Sequence, residues 1–301
     1  MVAFLANEDE AARRYAEWTG KTCRDIGLRF ELRQVTRTQL EEAIIEANED
    51  DGVNGIMVYS PVFGDAMDQY LQNIVDPAKD VEGLCHTYRF YMYHNIRHLD
   101  EAKTQRCIIP CTPLAIVKFL EHMGIYNSKL PYGDRLHGRT VTVINRSEVV
   151  GRPLAALLAN DGAHVYSADV NGLLELNRGQ GLHLKRYLTN ECSLTLEEAL
   201  ARSDIVIGGV PAKAYKIPTA QLREGVVAIN LSSVANFEDD ITSKASFFVS
   251  SVGKVTTVML ERNLMRLWQY QRKARAEAEV KETDAEADAV AEEEQAAKAY
   301  A

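Results

Sequence analysis

Thr140-Val141-Thr142-Val143-Ile144 constrains the fold of this chain more than any other segment. All five residues are β-branched, stiff at χ1 and biased towards extended backbone. No charge interrupts the run, as expected of a central strand in a parallel sheet with both faces covered. A tight turn follows, then a helix expected over about 152–160, then a second strand at His164-Val165-Tyr166-Ser167. Strand, helix and strand in that order make a βαβ unit. Later strands are expected at 205–207, 226–229 and 247–249, and a closing helix over about 256–272.

The first hundred residues also alternate strand and helix, which places the whole chain in the α/β class. Val2-Ala3-Phe4-Leu5 reads as a strand, and a helix over about 8–26 should end at Gly27. A helix over 38–48 carries Leu40, Ala43, Ile44 and Ala47 on one face, and Thr38-x-x-Glu41 predicts a capping box at its start. Gly55-Ile56-Met57-Val58-Tyr59 is a buried strand ending at Pro61. Thr112 and Pro113 predict an N-cap and first turn for a helix whose buried stripe is Leu114, Val117 and Leu120. At 301 residues there is material for two domains.

The turn after the β-branched run reads Asn145-Arg146-Ser147-Glu148-Val149-Val150-Gly151-Arg152-Pro153. It lies where a dinucleotide-binding fold places pyrophosphate, between a strand and the N-terminus of a helix, with free N–H groups and the positive end of the dipole. Only Gly151 remains of the usual glycines, so Arg146 and Ser147 are expected to supply side-chain donors instead. Asp169 ends the following strand, 24 residues after Asn145. A carboxylate there accepts both ribose hydroxyls and repels a 2′-phosphate. Its neighbours Ala168, Val170 and Asn171 carry no positive charge, so NAD is the expected cofactor rather than NADP. Gly208-Gly209-Val210-Pro211 follows a later strand and lets backbone approach the nicotinamide ribose, with Tyr215 and Lys216 as further candidates.

Charge narrows the function classes. From Glu277 onwards nine acidic residues face two basic ones, a net of −7 within a chain total of −9. The nearly neutral remainder lacks the basic face that nucleic acid requires. The acidic end is read as a solvated extension, disordered or a frayed helix. No apolar run reaches the ~18 residues of a membrane span, and no signal peptide is evident. Five cysteines, odd in number and without a CxxC pair, argue against disulfides and zinc and for a reducing, cytoplasmic setting. His86, His94 and His98 show no metal-ligand spacing, so no metal is expected.

Five collinear segments carry a family resemblance. Gly55–Pro61, Lys79-Asp80-Val81-Glu82-Gly83-Leu84, Pro110-Cys111-Thr112-Pro113, Asn145–Pro153 and Val252-Gly253-Lys254-Val255-Thr256 resemble motifs of the methylenetetrahydrofolate dehydrogenase/cyclohydrolase family. The resemblance spans about residues 2–270. It implies an N-terminal α/β folate-binding domain over 1–112, completed by the returning helix 256–272. A Rossmann-type NAD-binding domain would span 113–255, and 273–301 would form the acidic tail. Members of that family open with a helix ahead of the point where this chain begins, so the first helix is expected to be missing. A homodimer, a folate substrate and a place in one-carbon metabolism, with purine biosynthesis among its consumers, are further implications.

The departures from the family pattern bear on chemistry. By resemblance Tyr15 stacks along the pterin, Glu82 binds its amino-pyrimidine edge, and Lys21 matches a second lysine of the folate site. The lysine expected four residues after the tyrosine is Thr19, and the strand's glutamine is Tyr59. That lysine serves the hydrolytic step in the family, so its loss implies dehydrogenase activity alone. The same combination resembles the family's monofunctional NAD-dependent branch in yeast-like fungi. Removing a hydride from methylenetetrahydrofolate leaves a delocalised cation driven by nitrogen lone pairs, so positioning and electrostatics suffice without a strong base. Cys111, at the domain junction, is the remaining candidate for a catalytic group. Two alternatives stay open on the residues: a bifunctional NADP-dependent enzyme, and a nucleotide-binding scaffold without activity.

Overall fold

The computed structural model describes residues 1–8, 10–178 and 186–299, with side chains up to residue 283. Elements in chain order are β1 (Val2–Leu5), α1 (Glu10–Asp25), β2 (Glu31–Gln34), α2 (Leu40–Glu49), β3 (Ile56–Val58), α3 (Ala66–Ile74), α4 (His86–Tyr93) and α5 (Cys111–His122). They continue as β4 (Thr140–Ile144), α6 (Gly151–Asn160), β5 (His164–Asp169), β6 (Gly172–Arg178), β7 (Tyr187–Glu191), α7 (Leu196–Arg202), β8 (Ile205–Gly208), β9 (Val227–Asn230), β10 (Phe247–Val249) and α8 (Gly253–Ala299).

Two sheets organise the chain. The first is parallel and three-stranded, in the order β2-β1-β3. The second has seven strands in the order β10-β9-β8-β4-β5-β6-β7. It is parallel from β10 to β5, and β6 and β7 add an antiparallel hairpin on one edge. β4 is central, as its β-branched run requires, and Val141 and Val143 are fully buried. β5 lies on one side of β4 and β8 on the other, so the strand order reverses between β4 and β8. Ligands of doubly wound sheets bind outside the carboxyl ends of the strands at such a switch point.

α5 carries Leu114, Val117 and Leu120 into the interior, as expected. Its start differs: the helix begins at Cys111 with Pro110 as N-cap, so Pro113 sits inside the first turn. α2 also differs, beginning at Leu40 without a side-chain cap. Thr38 instead bonds the Thr36 hydroxyl, and Gln39 folds back onto Thr36, so the expected capping box does not form. The capping box seen among the described residues is Thr195 with Glu198, at the start of α7.

α8 returns from the second sheet to the first. Met259, Leu260, Leu264 and Leu267 join a core with Ala3, Leu5 and Met57 of the first sheet. Within that apolar stripe sits Asn263, whose amide donates to Val81 O and Ile109 O, both at 3.0 Å. The helix continues into the acidic end as far as Ala299, exposed from Arg272 to Thr283. Four of the five cysteines are buried, Cys192 is intermediate, and all five are free thiols. Among the described residues no helix is long and apolar enough to cross a membrane, and no group of three His, Cys, Asp or Glu side chains is placed to hold a metal.

Candidate active site

The turn after β4 is built around one close approach. Asn145 adopts the left-handed conformation, φ 85°, uncommon outside glycine. Its side-chain amide donates to Gly209 O at 2.6 Å, and Gly209 N donates to Ile144 O at 3.0 Å. The ends of β4 and β8 are thereby locked together at the switch point. Gly151 then opens α6 directly over Asn145, where a Cβ would lie 1.8 Å from Asn145 O. No side chain fits there, which is the condition a phosphate-binding turn sets on its glycine. Ser147 Oγ accepts from Val150 N and Gly151 N at 3.3 and 3.2 Å. With its lone pairs committed to the helix start, its own proton is free to point outwards as a donor.

Arg146 takes a different place from the expected one. Its guanidinium donates to Ser167 O at 2.5 Å, Gly172 O at 3.0 Å and Ser167 Oγ at 3.1 Å. It therefore buttresses the end of β5 instead of reaching a pyrophosphate. Asp169 is the last residue of β5, and its Oδ1 accepts from Val170 N at 2.8 Å. Val170 is 96% exposed at the lip. Beyond β8, Asn236 is fully buried and clamps Val210 from both sides, accepting from Val210 N and donating to Val210 O at 2.8 Å each. Gly209 lines the cleft, and Pro211 follows it on the surface. Tyr215 is half-buried and packs against the core beneath the sheet. Lys216 donates to Ala235 O and Phe237 O, which holds it away from the switch point.

An open cleft of about 390 Å³ runs along these strand ends, lined by Asn145, Ser147, Gly151, Gly209, Thr112 and, from the first unit, Tyr15. A dinucleotide suits this lining, with a backbone cradle closed to any Cβ, a helix N-terminus and the Ser147 hydroxyl; Asp169 lies outside the lining, at the end of the neighbouring strand. Tyr15 stands edge-on to Tyr59, ring centroids 6.0 Å apart at 89°. Burial pushes the Tyr15 phenol up to about 12, opposed by the Thr257 hydroxyl beside it. The Tyr59 hydroxyl is buried beside the Thr19 hydroxyl, which donates to Tyr15 O at 2.9 Å. Burial raises its pKa as well.

Glu82 approaches from the loop after β3, its Oε2 accepting from Val58 N at 2.9 Å. Burial, with Asp80 nearby, pushes its carboxyl up to about 8. The residue as a whole remains partly exposed. Asp80 supports the loop by accepting from Glu82 N, Gly83 N and Cys85 N. Cys111 is buried behind this group, its Sγ donating to Val81 O at 3.3 Å and receiving the Asn263 amide at 3.5 Å. Burial raises the thiol well above its ordinary value, with Glu82 adding to the rise. A protonated, hydrogen-bonded sulfur braces the loop and is a poor nucleophile.

Lys21 is not brought to the cleft. It lies on the outer face of α1, paired with Asp25 at 2.5 Å. Two residues along a helix turn the side chain about 200°, so Thr19 faces the core and Lys21 faces solvent. Asn145 opens the turn singled out by motif, whereas two further site-shaping residues, Asn236 and Asn263, escape a reading by motif. The one sequence signal among them is an asparagine inside the apolar stripe of α8.

The comparisons with known proteins agree with this geometry. The family profile described as tetrahydrofolate dehydrogenase/cyclohydrolase, catalytic domain, matches residues 1–82, and that of its NAD(P)-binding domain matches residues 110–175. Methylenetetrahydrofolate dehydrogenase [NAD(+)] of Schizosaccharomyces pombe is 55% identical over 272 residues, 90% of this chain and 85% of the relative. The protein of that name from Dictyostelium discoideum is 50% identical over 275 residues, 90% of this chain and 86% of its own length. The solved structure of NAD-dependent 5,10-methylenetetrahydrofolate dehydrogenase from Saccharomyces cerevisiae superposes with a TM-score of 0.87 at 52% identity, covering 91% of this chain and 88% of that one. With cradle, cleft, profile and relatives in agreement, this chain belongs to the tetrahydrofolate dehydrogenase/cyclohydrolase family.

Proposed function

We propose that this chain oxidises 5,10-methylenetetrahydrofolate to 5,10-methenyltetrahydrofolate with NAD, and does not hydrolyse the product. The observation that carries the reading is the cleft itself, which sets Tyr15 of the first unit against the Asn145–Gly151 cradle of the second. The 50–55% identity to NAD(+)-dependent enzymes supports both substrate and cofactor.

Bound NAD supplies the hydride acceptor. The chain's own contribution is placement. Gly151 and the start of α6 would hold the pyrophosphate, the Ser147 hydroxyl would donate to it, and Asp169 would accept the ribose hydroxyls. The Asn145–Gly209 and Asn236–Val210 bonds fix the strand ends that would support the nicotinamide half. On the folate side Tyr15 and Tyr59 form an aromatic wall, and Glu82 offers its uncommitted oxygen to the pterin edge. As the one-carbon unit becomes a cation, an electron-rich tyrosine ring face would favour the positive charge. Hydrolysis makes a different demand, a general acid/base that activates water. At the helix position where such a group would stand, Thr19 is buried and bonded to backbone.

The deciding assay follows 340 nm absorbance with methylenetetrahydrofolate and either NAD or NADP. Turnover with NAD at least tenfold above NADP is expected, and 10-formyltetrahydrofolate should form from methenyltetrahydrofolate no faster than in buffer. Faster NADP reduction, or enzymatic release of the formyl product, overturns the reading. A homodimer and a cytoplasmic site of action, feeding one-carbon units to purine synthesis, complete the proposal. The free thiols support a reducing compartment, and the open edge of β7 offers a pairing surface. Light scattering after gel filtration tests the dimer.

A further inference from the structure

A second cavity lies on the opposite face of α5 from the active-site cleft. Thr112 faces the cleft, while Leu114, Val117, Lys118 and Glu121 face the cavity, about half a turn round the helix. Its volume is about 440 Å³, within the range of small-ligand sites. Six basic side chains line it: Arg97, Arg106, Lys118, Arg135, Arg262 and Arg266. Two acids share the lining, and each is already paired, Asp161 with Arg97 at 2.7 Å and Glu121 with Lys118 at 2.5 Å. Among the described residues of the lining, four arginines are left without a paired counter-charge.

Those arginines converge from separate elements. Arg262 and Arg266 come from α8, Arg106 from the segment before α5, and Arg135 from the loop before β4. Tyr132 stands among them, with Arg97, Arg106 and Arg135 at 4.8, 5.7 and 5.8 Å from its ring centre. Arg135 Nε and Arg262 Nη1 are enclosed without a hydrogen-bond partner among the described residues, so the remaining guanidinium N–H groups are the ones open to a ligand. Burial, with Arg266 and Arg106 nearby, also lowers the Arg262 pKa, as expected where like charges crowd.

We propose that this cavity is a second ligand site, taking a small phosphoryl-bearing anion of at least two negative charges. Guanidinium forks match phosphoryl oxygens two at a time, and a tetrahedral group serves donors arriving from several directions. A single carboxylate would leave most of the excess charge unbalanced. The ligand would bridge Arg106 and Arg262, which pack with the first sheet, to Arg135, which precedes the second. Its binding does not depend on the reaction proposed above, and the test reads binding directly.

Thermal unfolding is measured with saturating NAD, so that the dinucleotide cleft is filled, at constant ionic strength, with inorganic phosphate, inorganic pyrophosphate or citrate added. Pyrophosphate at about 100 times its Kd is expected to raise Tm by roughly 5 °C. Equilibrium dialysis with labelled pyrophosphate under the same conditions should show one saturable site per chain. The Arg135→Gln/Arg262→Gln variant relieves repulsion, so it should fold and turn over NAD as the wild type does, yet lose most of the pyrophosphate shift. Arg106→Gln alone should weaken dialysis binding several-fold. No saturable binding to the wild type, or the same shift in wild type and variant, overturns the site. Citrate stabilising as strongly as pyrophosphate overturns its phosphoryl assignment. A larger shift with phosphate than with pyrophosphate overturns the expected preference for the higher charge.

Discussion

At Gly151 the geometry leaves no tolerance, because an added Cβ would fall 1.8 Å from the Asn145 carbonyl, backbone that cannot swing aside. Gly151→Ala should weaken NAD binding at least tenfold and destabilise the fold by about 2 kcal/mol, read by NAD titration and chemical unfolding. Glu82 behaves differently, since its effect varies with pH. Folding raises its pKa from 4.5 to about 8, so the native state holds the proton more tightly than the unfolded chain. The resulting penalty is absent below the lower value, grows as pH rises between the two, and is constant above about 8. Glu82→Gln should therefore raise Tm by a few degrees near pH ~8.5 and by little near pH ~5. The pterin edge donates hydrogen bonds and favours the carboxylate, so folate affinity in the wild type should rise with pH up to about 8 and then level off. At the ribose corner, Asp169→Ser with Val170→Arg replaces repulsion by attraction. The NADP/NAD ratio of kcat/KM should rise at least tenfold, about 1.4 kcal/mol of discrimination. An unchanged ratio would count against Asp169 as the selector.

Elements differ in how much they disclose before folding. β4, β5, β8 and the buried stripe of α5 were readable because burial on one or both faces writes apolar periodicity into the residues themselves. β7 was not, since Tyr-Leu-Thr-Asn-Glu at an exposed sheet edge carries no such pattern. α4 is rich in aromatic residues of modest helix propensity, and its burial against neighbours, invisible locally, holds it helical. The expected capping box at Thr38 misled because hydroxyls there satisfy a loop, while Thr195 and Glu198 form one where no apolar periodicity drew attention. Site residues divide in the same way. Asp169 and Gly151 follow from their place in a βαβ unit, and Tyr15 and Glu82 from motif resemblance. Asn145 and Asn236 act through backbone that only the assembled strands bring near. Lys21 shows the converse, where alignment with a motif ignores the helix face. The last stretch of α8 illustrates an element without tertiary support: beyond Arg275, which reaches Asp51, its described side chains are exposed. Removing residues 277–301 should leave NAD-dependent turnover unchanged and shift Tm by less than about 2 °C, checked on the truncated chain by the same assay and thermal scan.

For the molecule as a whole, two sheets meet along α5 and α8, and the reaction is assigned to the cleft their junction leaves open. Asn263 fastens α8 to the loop that carries Glu82 and to the segment entering α5, so the folate side is held by the chain's last helix as well as its first. Arg97 and Asn160 add ties between the units, through Asp161 and the Met92 carbonyl. The burial of Cys23, Cys85, Cys107 and Cys111, with Cys192 alone partly exposed on the second unit, has a practical consequence. Under native conditions a thiol reagent such as Ellman's should modify one cysteine quickly, and all five only after denaturation. A fluorophore introduced at Cys192 would therefore mark the NAD-binding unit without mutagenesis, and a second dye on α1 would turn the opening and closing of the cleft into a distance read in solution.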